Sequence, residues 1–77
     1  MTPAQCRAAR ALLNITQTDL AKAADVAEKT ITDFETGARR PYRRTIAALR
    51  QALEAAGVEF IPENGGGEGV RMRKPAG

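Results

Sequence analysis

Arg39, Arg40, Arg43 and Arg44 set four guanidinium groups within six residues, the densest charge in a chain of 77 residues. A guanidinium presents a rigid fork of donors that matches phosphate oxygens. The cluster therefore reads either as a grip on a polyanion or as a solvated basic loop. The charge around it is uneven. Residues 1–38 carry four basic groups (Arg7, Arg10, Lys22, Lys29) against five acids, a net −1, while residues 39–77 carry eight against four, a net +4, which together give +3. With an isoelectric point near 9.6, this concentration of Arg favours a polyanionic partner.

The residue types present disfavour catalysis. The chain has no His, so acid–base work would fall to carboxylates or Lys. Its one cysteine, Cys6, lies among Ala residues on a predicted helix and reads as a small core side chain. A single Cys forbids an intrachain disulfide, and without His no zinc site is expected. Gly65–Gly67 lacks the Lys-Ser/Thr that a phosphate-cradling loop needs. The expectation is a chain with no catalytic residues, metal, cofactor or small-molecule substrate, and not an enzyme. At 43% hydrophobic and 27% charged it reads as one globular domain. No apolar run approaches the ~20 residues of a membrane span, and the first helix alternates Arg with Ala where a secretory signal would be uniformly apolar. A cytoplasmic location follows as an expectation.

Local signals place the elements. Thr2-Pro3-Ala4-Gln5 is a helix start, with Thr2 as cap and Gln5 able to reach back, and Asn14 is the stop. Thr16 caps a second helix with Asp19 as its capping-box partner, ending near Ala24. Asp25 sits at a sharp turn that calls for a positive φ. A third helix is predicted from about Ala27 to Thr36, stopped by Gly37. A fourth begins near Pro41, buries Ile46, Leu49 and Leu53, and ends at Gly57. Beyond Gly57 the period changes. Val58-Glu59-Phe60 and Val70-Arg71-Met72-Arg73 alternate around a Gly-rich turn, which predicts a strand–turn–strand followed by a frayed 74–77, with a disordered tail as the other reading. A lone hairpin is marginal in water, so it needs its own helices or a second subunit to pack on. Within Gln17–Thr36, Leu20, Ala21 and Ala24 line one helical face and Val26, Ile31 and Phe34 the next. Two short helices burying these faces cross steeply and leave the outer face of the second free to enter a DNA groove.

Residues 17–36 resemble the helix-turn-helix of phage-repressor/Cro-like (XRE) regulators. Gln17 opens the second helix, Ala21 is the small residue at the crossing, and Phe34-Glu35-Thr36-Gly37 followed by Arg39-Arg40-Pro41 resembles the family's junction after the recognition helix. The likeness covers about residues 3–56. It implies an all-α, compact lambda-repressor-like bundle of four helices, here with a C-terminal β-hairpin extension. Residues 1–57 form the helix-turn-helix domain and 58–77 the extension. Three departures stand out: Asp25 where Gly is common, a strand-like tail where a fifth helix is usual, and an acidic reading face.

The resemblance implies that Glu28, Lys29, Thr32 and Asp33 read bases in double-stranded DNA. Lys29 would donate to guanine, Thr32 would touch a base or a thymine methyl, and Glu28 or Asp33 would accept from cytosine N4. Thr16, Gln17, Thr36, Arg39, Arg40, Arg43 and Arg44 would hold phosphates, Thr16 also serving as a cap. Arg10 and Glu35 would form a structural pair. The implied function is a small sequence-specific transcriptional regulator, a repressor. One reading head offers limited readout, so a homodimer is expected, with Val58, Phe60, Ile61, Val70 and Met72 of the tail as its interface. Two alternatives stay open: an antitoxin-type regulator that also binds a toxin protein through its tail, and a protein-interaction module that has lost DNA binding.

Overall fold

The computed structural model describes residues 1–73; the frayed end expected at 74–77 lies outside the described residues. Four helices precede one hairpin: α1 Pro3–Leu13, α2 Gln17–Ala24, α3 Glu28–Thr36, α4 Arg43–Ala55, β1 Val58–Ile61 and β2 Gly69–Met72. Both predicted capping boxes are present. Thr2 and Thr16 each accept the N–H three residues on, and Gln5 and Asp19 accept in return from the cap N–H. The chain turns out of α1 and α2 through left-handed residues, Asn14 at φ 56° and Asp25 at φ 57°. Asx residues tolerate this region better than other non-glycine residues, so Asp25 takes the place of the usual Gly.

Two starts shift from expectation. α3 begins at Glu28, with Ala27 as an N-cap that makes no side-chain bond. α4 begins at Arg43, not beside Pro41. The segment between them is pinned to α3, because the Arg39 N–H donates to the Asp33 carbonyl at 3.2 Å.

Every element except β2 contributes fully buried apolar groups to one core: Cys6 and Ala9 from α1, Leu20 and Ala21 from α2, Ile31 and Phe34 from α3, Ile46, Leu49 and Leu53 from α4, Val58 and Phe60 from β1. Leu13, at the end of α1, is only half-buried. Ala21 is small enough to let α2 and α3 touch.

The hairpin packs on its own helices. β1 and β2 run antiparallel, with Val58 opposite Met72 and Phe60 opposite Val70. Directly opposed residues share a sheet face, so these four lie on the helix side. Glu59 and Arg71 lie on the outer side, where they form an ion pair. Gln5 of α1 donates from Nε2 to the Gly69 carbonyl at 3.0 Å, and the Arg50 guanidinium of α4 stands 5.1 Å from the Phe60 ring centroid. The side chains of Val58 and Phe60 are therefore already covered within the chain. Ile61 and Val70 are half-buried, and Met72 is exposed.

Phe60 contributes a large aromatic to the core, so Phe60→Ala should lower the unfolding free energy by about 3 kcal/mol, measured by urea denaturation. A loss below about 1 kcal/mol would mean that the hairpin is an appendage and not part of the core.

Candidate nucleic-acid interface

α3 has a buried side (Ile31, Phe34, Glu35) and an exposed one carrying Glu28, Lys29, Thr32 and Thr36, with Asp33 at its rim. The Lys29 side chain is 84% exposed, and its Nζ lies 3.3 Å from Asp33 Oδ2. The Thr32 hydroxyl donates to Gln17 Oε1 at 2.8 Å, with the Glu28 carbonyl a second acceptor at 3.3 Å. The Thr36 hydroxyl donates to the Thr32 carbonyl at 2.9 Å.

Beneath this face the carboxylate of Glu35 is 3% exposed and collects four side-chain donors. Arg10 approaches as a fork, Nε at 2.7 Å and Nη2 at 2.6 Å. Gln17 Nε2 donates at 3.0 Å and Cys6 Sγ at 3.2 Å. Arg7 donates to the Glu35 backbone carbonyl. Burial by itself raises the pKa of this carboxyl, but the hydrogen bonds from Arg10, Gln17 and Cys6 outweigh burial and hold it below its ordinary value. The same surroundings act oppositely on Cys6. Burial, and then the neighbouring Glu35 charge, push its thiol up to about 12, so it stays protonated and donates. Among the described residues no buried side-chain polar atom lacks a partner.

The network engages two of the residues that the resemblance implied as phosphate ligands. Gln17 turns its amide inward, bridging Glu35 and Thr32, where the resemblance implied a phosphate ligand. Thr16 is engaged as a cap: its Oγ1 accepts the Asp19 N–H at 3.0 Å. The reciprocal bonds from Thr16 to the Asp19 carboxylate hold that carboxyl below its usual range.

Arg39, Arg40, Arg43 and Arg44 are all exposed. Arg39 and Arg40, with Lys29, Asp33 and Tyr42, line an open groove of about 760 Å³ alongside α3. Arg43 and Arg44 occupy the first turn of α4, which contains no acid. Cations at a helix N-terminus oppose the helix dipole, so folding alone disfavours this placement and a bound anion would relieve it. Tyr42, 79% exposed at the α4 N-cap, escapes sequence reasoning. The only available signal was an aromatic between Pro41 and Arg43.

Four helices with α2 packed on α3, a solvent-facing polar face on α3 and a flanking Arg rim have the arrangement of a helix-turn-helix. A helix-turn-helix family model matches residues 7–59, well over half of the chain. No curated protein matches it. The chain thus belongs to the Cro/C1-like (XRE) helix-turn-helix family of DNA-binding regulators. Among the described residues no helix is long and apolar enough to cross a membrane, and no cluster of metal-binding side chains occurs.

Glu35→Gln should cost about 3 kcal/mol, because Arg10 is left without its countercharge. The folded pKa of Glu35 is depressed, so its contribution is present above the unfolded carboxylate pKa of about 4.3 and is lost as pH falls through the folded value. Wild-type stability should fall below about pH 5, and the Glu35→Gln profile should be flatter over that acid range. Superimposable profiles would mean that the pair does not couple to folding.

Proposed function

We propose that this chain is a transcriptional repressor that binds a specific double-stranded DNA operator as a homodimer, with α3 in the major groove. The observation that carries the reading is the pairing of an exposed polar face on α3 with a rim of arginines beside it. In this role Arg39, Arg40, Arg43 and Arg44 hold phosphates, and Glu28, Lys29, Thr32 and Asp33 face base edges. Like charge between Glu28 or Asp33 and the DNA backbone is the best support for an interaction module that has abandoned DNA. The Lys29–Asp33 ion pair weakens that support, since half of the acidity is answered on the helix itself.

Two heads reading half-sites about one helical turn apart supply the specificity that one lacks. The partner surface is the hairpin, through Ile61, Val70, Met72 and the strand edges, because a two-stranded sheet leaves unpaired backbone groups that a second copy satisfies across a two-fold axis.

Anisotropy titrations of labelled duplex at several salt concentrations test the DNA reading. The double substitution Arg39→Ala with Arg40→Ala should reduce the log–log salt slope by about 1.8, at about 0.9 per lost phosphate contact, with the circular dichroism unchanged. An unchanged slope, or no binding of any duplex at low salt, would refute it. Light scattering tests the assembly: the full chain should give twice the monomer mass, and Met72→Lys should shift it toward monomer. A monomeric wild type would remove the dimer.

A further inference from the structure

The polar hydrogens on the reading face are already committed, and this fixes the kind of base edge the face accepts. The chain of constraint starts at Glu35, whose ionised carboxylate only accepts. The Gln17 amide must therefore turn its nitrogen toward Glu35, at 3.0 Å, and its oxygen away. That oxygen meets the Thr32 hydroxyl at 2.8 Å, so Thr32 must donate. The other neighbour within reach of the hydroxyl, the Glu28 carbonyl at 3.3 Å, also only accepts. Thr36 repeats the pattern, its proton going to the Thr32 carbonyl with the Asp33 carbonyl nearby. What Thr32 and Thr36 offer outward is lone pairs. Glu28 and Asp33 are carboxylates and offer the same. Of the five polar side chains on this face, only Lys29 offers a donor outward, and it shares its charge with Asp33.

Resting on the DNA-binding reading above, we infer that α3 recognises exocyclic base amino groups, cytosine N4 and adenine N6, through acceptors on Glu28, Thr32 and Asp33. Gln17 is the positioning residue that fixes the hydrogen-bond polarity of Thr32. In the major groove these amino groups are the only base-edge donors, whereas guanine O6 and N7, adenine N7 and thymine O4 all accept. A thymine or guanine edge placed against Thr32 meets lone pairs. To donate to it, Thr32 would have to abandon Gln17 Oε1, and the amide cannot flip to compensate without setting its oxygen against Glu35. Discrimination at this position is thus built beneath the surface, two residues removed from the base. The carboxylates also lose part of their penalty near phosphate once each accepts from an amino donor.

Atom-level substitution in the operator tests this with the wild-type chain. A duplex is first selected from a random pool at low salt. Within each half-site, cytosine is then replaced by 2-pyrimidinone or adenine by purine, which deletes the amino group. In parallel, purines are replaced by their 7-deaza forms, which deletes the N7 acceptor. Amino deletion at two or three positions per half-site should weaken binding roughly 5- to 100-fold, with 7-deaza changes below about twofold except opposite Lys29. Thr32→Val keeps the shape but removes the lone pairs, and it should erase the amino dependence at one position only. Gln17→Leu removes the closer acceptor and leaves only the Glu28 carbonyl at 3.3 Å to compete for the proton, so it should relax the preference and let that same position accept guanine or thymine. Losses concentrated on the 7-deaza substitutions would overturn the inference while leaving DNA binding intact. Failure to select any duplex would overturn the DNA reading itself, and this inference with it.

Discussion

A single buried carboxylate holds the reading apparatus together. Glu35 receives donors from α1 (Arg10 and Cys6) and from α2 (Gln17), so the three helices that position the outer face of α3 converge on one charge. Apolar packing of Ile31 and Phe34 supplies most of the stabilisation but fixes orientation only loosely, since volume-conserving packing tolerates repacking. Directional bonds to a charged acceptor do not tolerate it. The interaction sets the tilt of α3 against α1 and also the side-chain polarity on the far side of the helix.

Most of the helical architecture was legible because its signals are local. Thr2 and Thr16 stand three residues from Gln5 and Asp19, Asp25 marks a turn that only a few residue types enter, and Leu20, Ile31, Phe34 and Leu49 fall at helical spacing. The Arg10–Glu35 pairing came from family likeness, since 25 residues separate the two in sequence and no local pattern joins them. Gln17 was out of reach for the same reason: its amide is bonded to groups 15 and 18 residues away. The hairpin was legible as two alternating runs, but not the surface it packs on. Val58 and Phe60 are buried in the core shared with the four helices, and period-2 alternation says nothing about which partner covers the apolar face.

Charge on the molecule is sorted by distance from the reading helix. The face of α3 carries acids partly answered by Lys29, while the arginines stand along its margin and on the first turn of α4. Long-range attraction to a polyanion is then strongest at the margin, whose proposed phosphate contacts add affinity without sequence information. In the proposed function the centre contributes selectivity, because an unpaired carboxylate beside the wrong base edge is costly. The groove bearing Tyr42 joins the two regions and sets an exposed amphipathic ring between them.

Cys6 has a practical use that follows from its seat. It is the sole cysteine of the chain, has no solvent exposure, and gives its proton to Glu35. A thiol-directed reagent needs a thiolate in contact with water, and here neither condition is met until α1 lifts from α3. The alkylation rate of the native chain would therefore count openings of that seam directly. The residue with the least chemistry to offer is a built-in clock for how often the molecule comes apart at its centre.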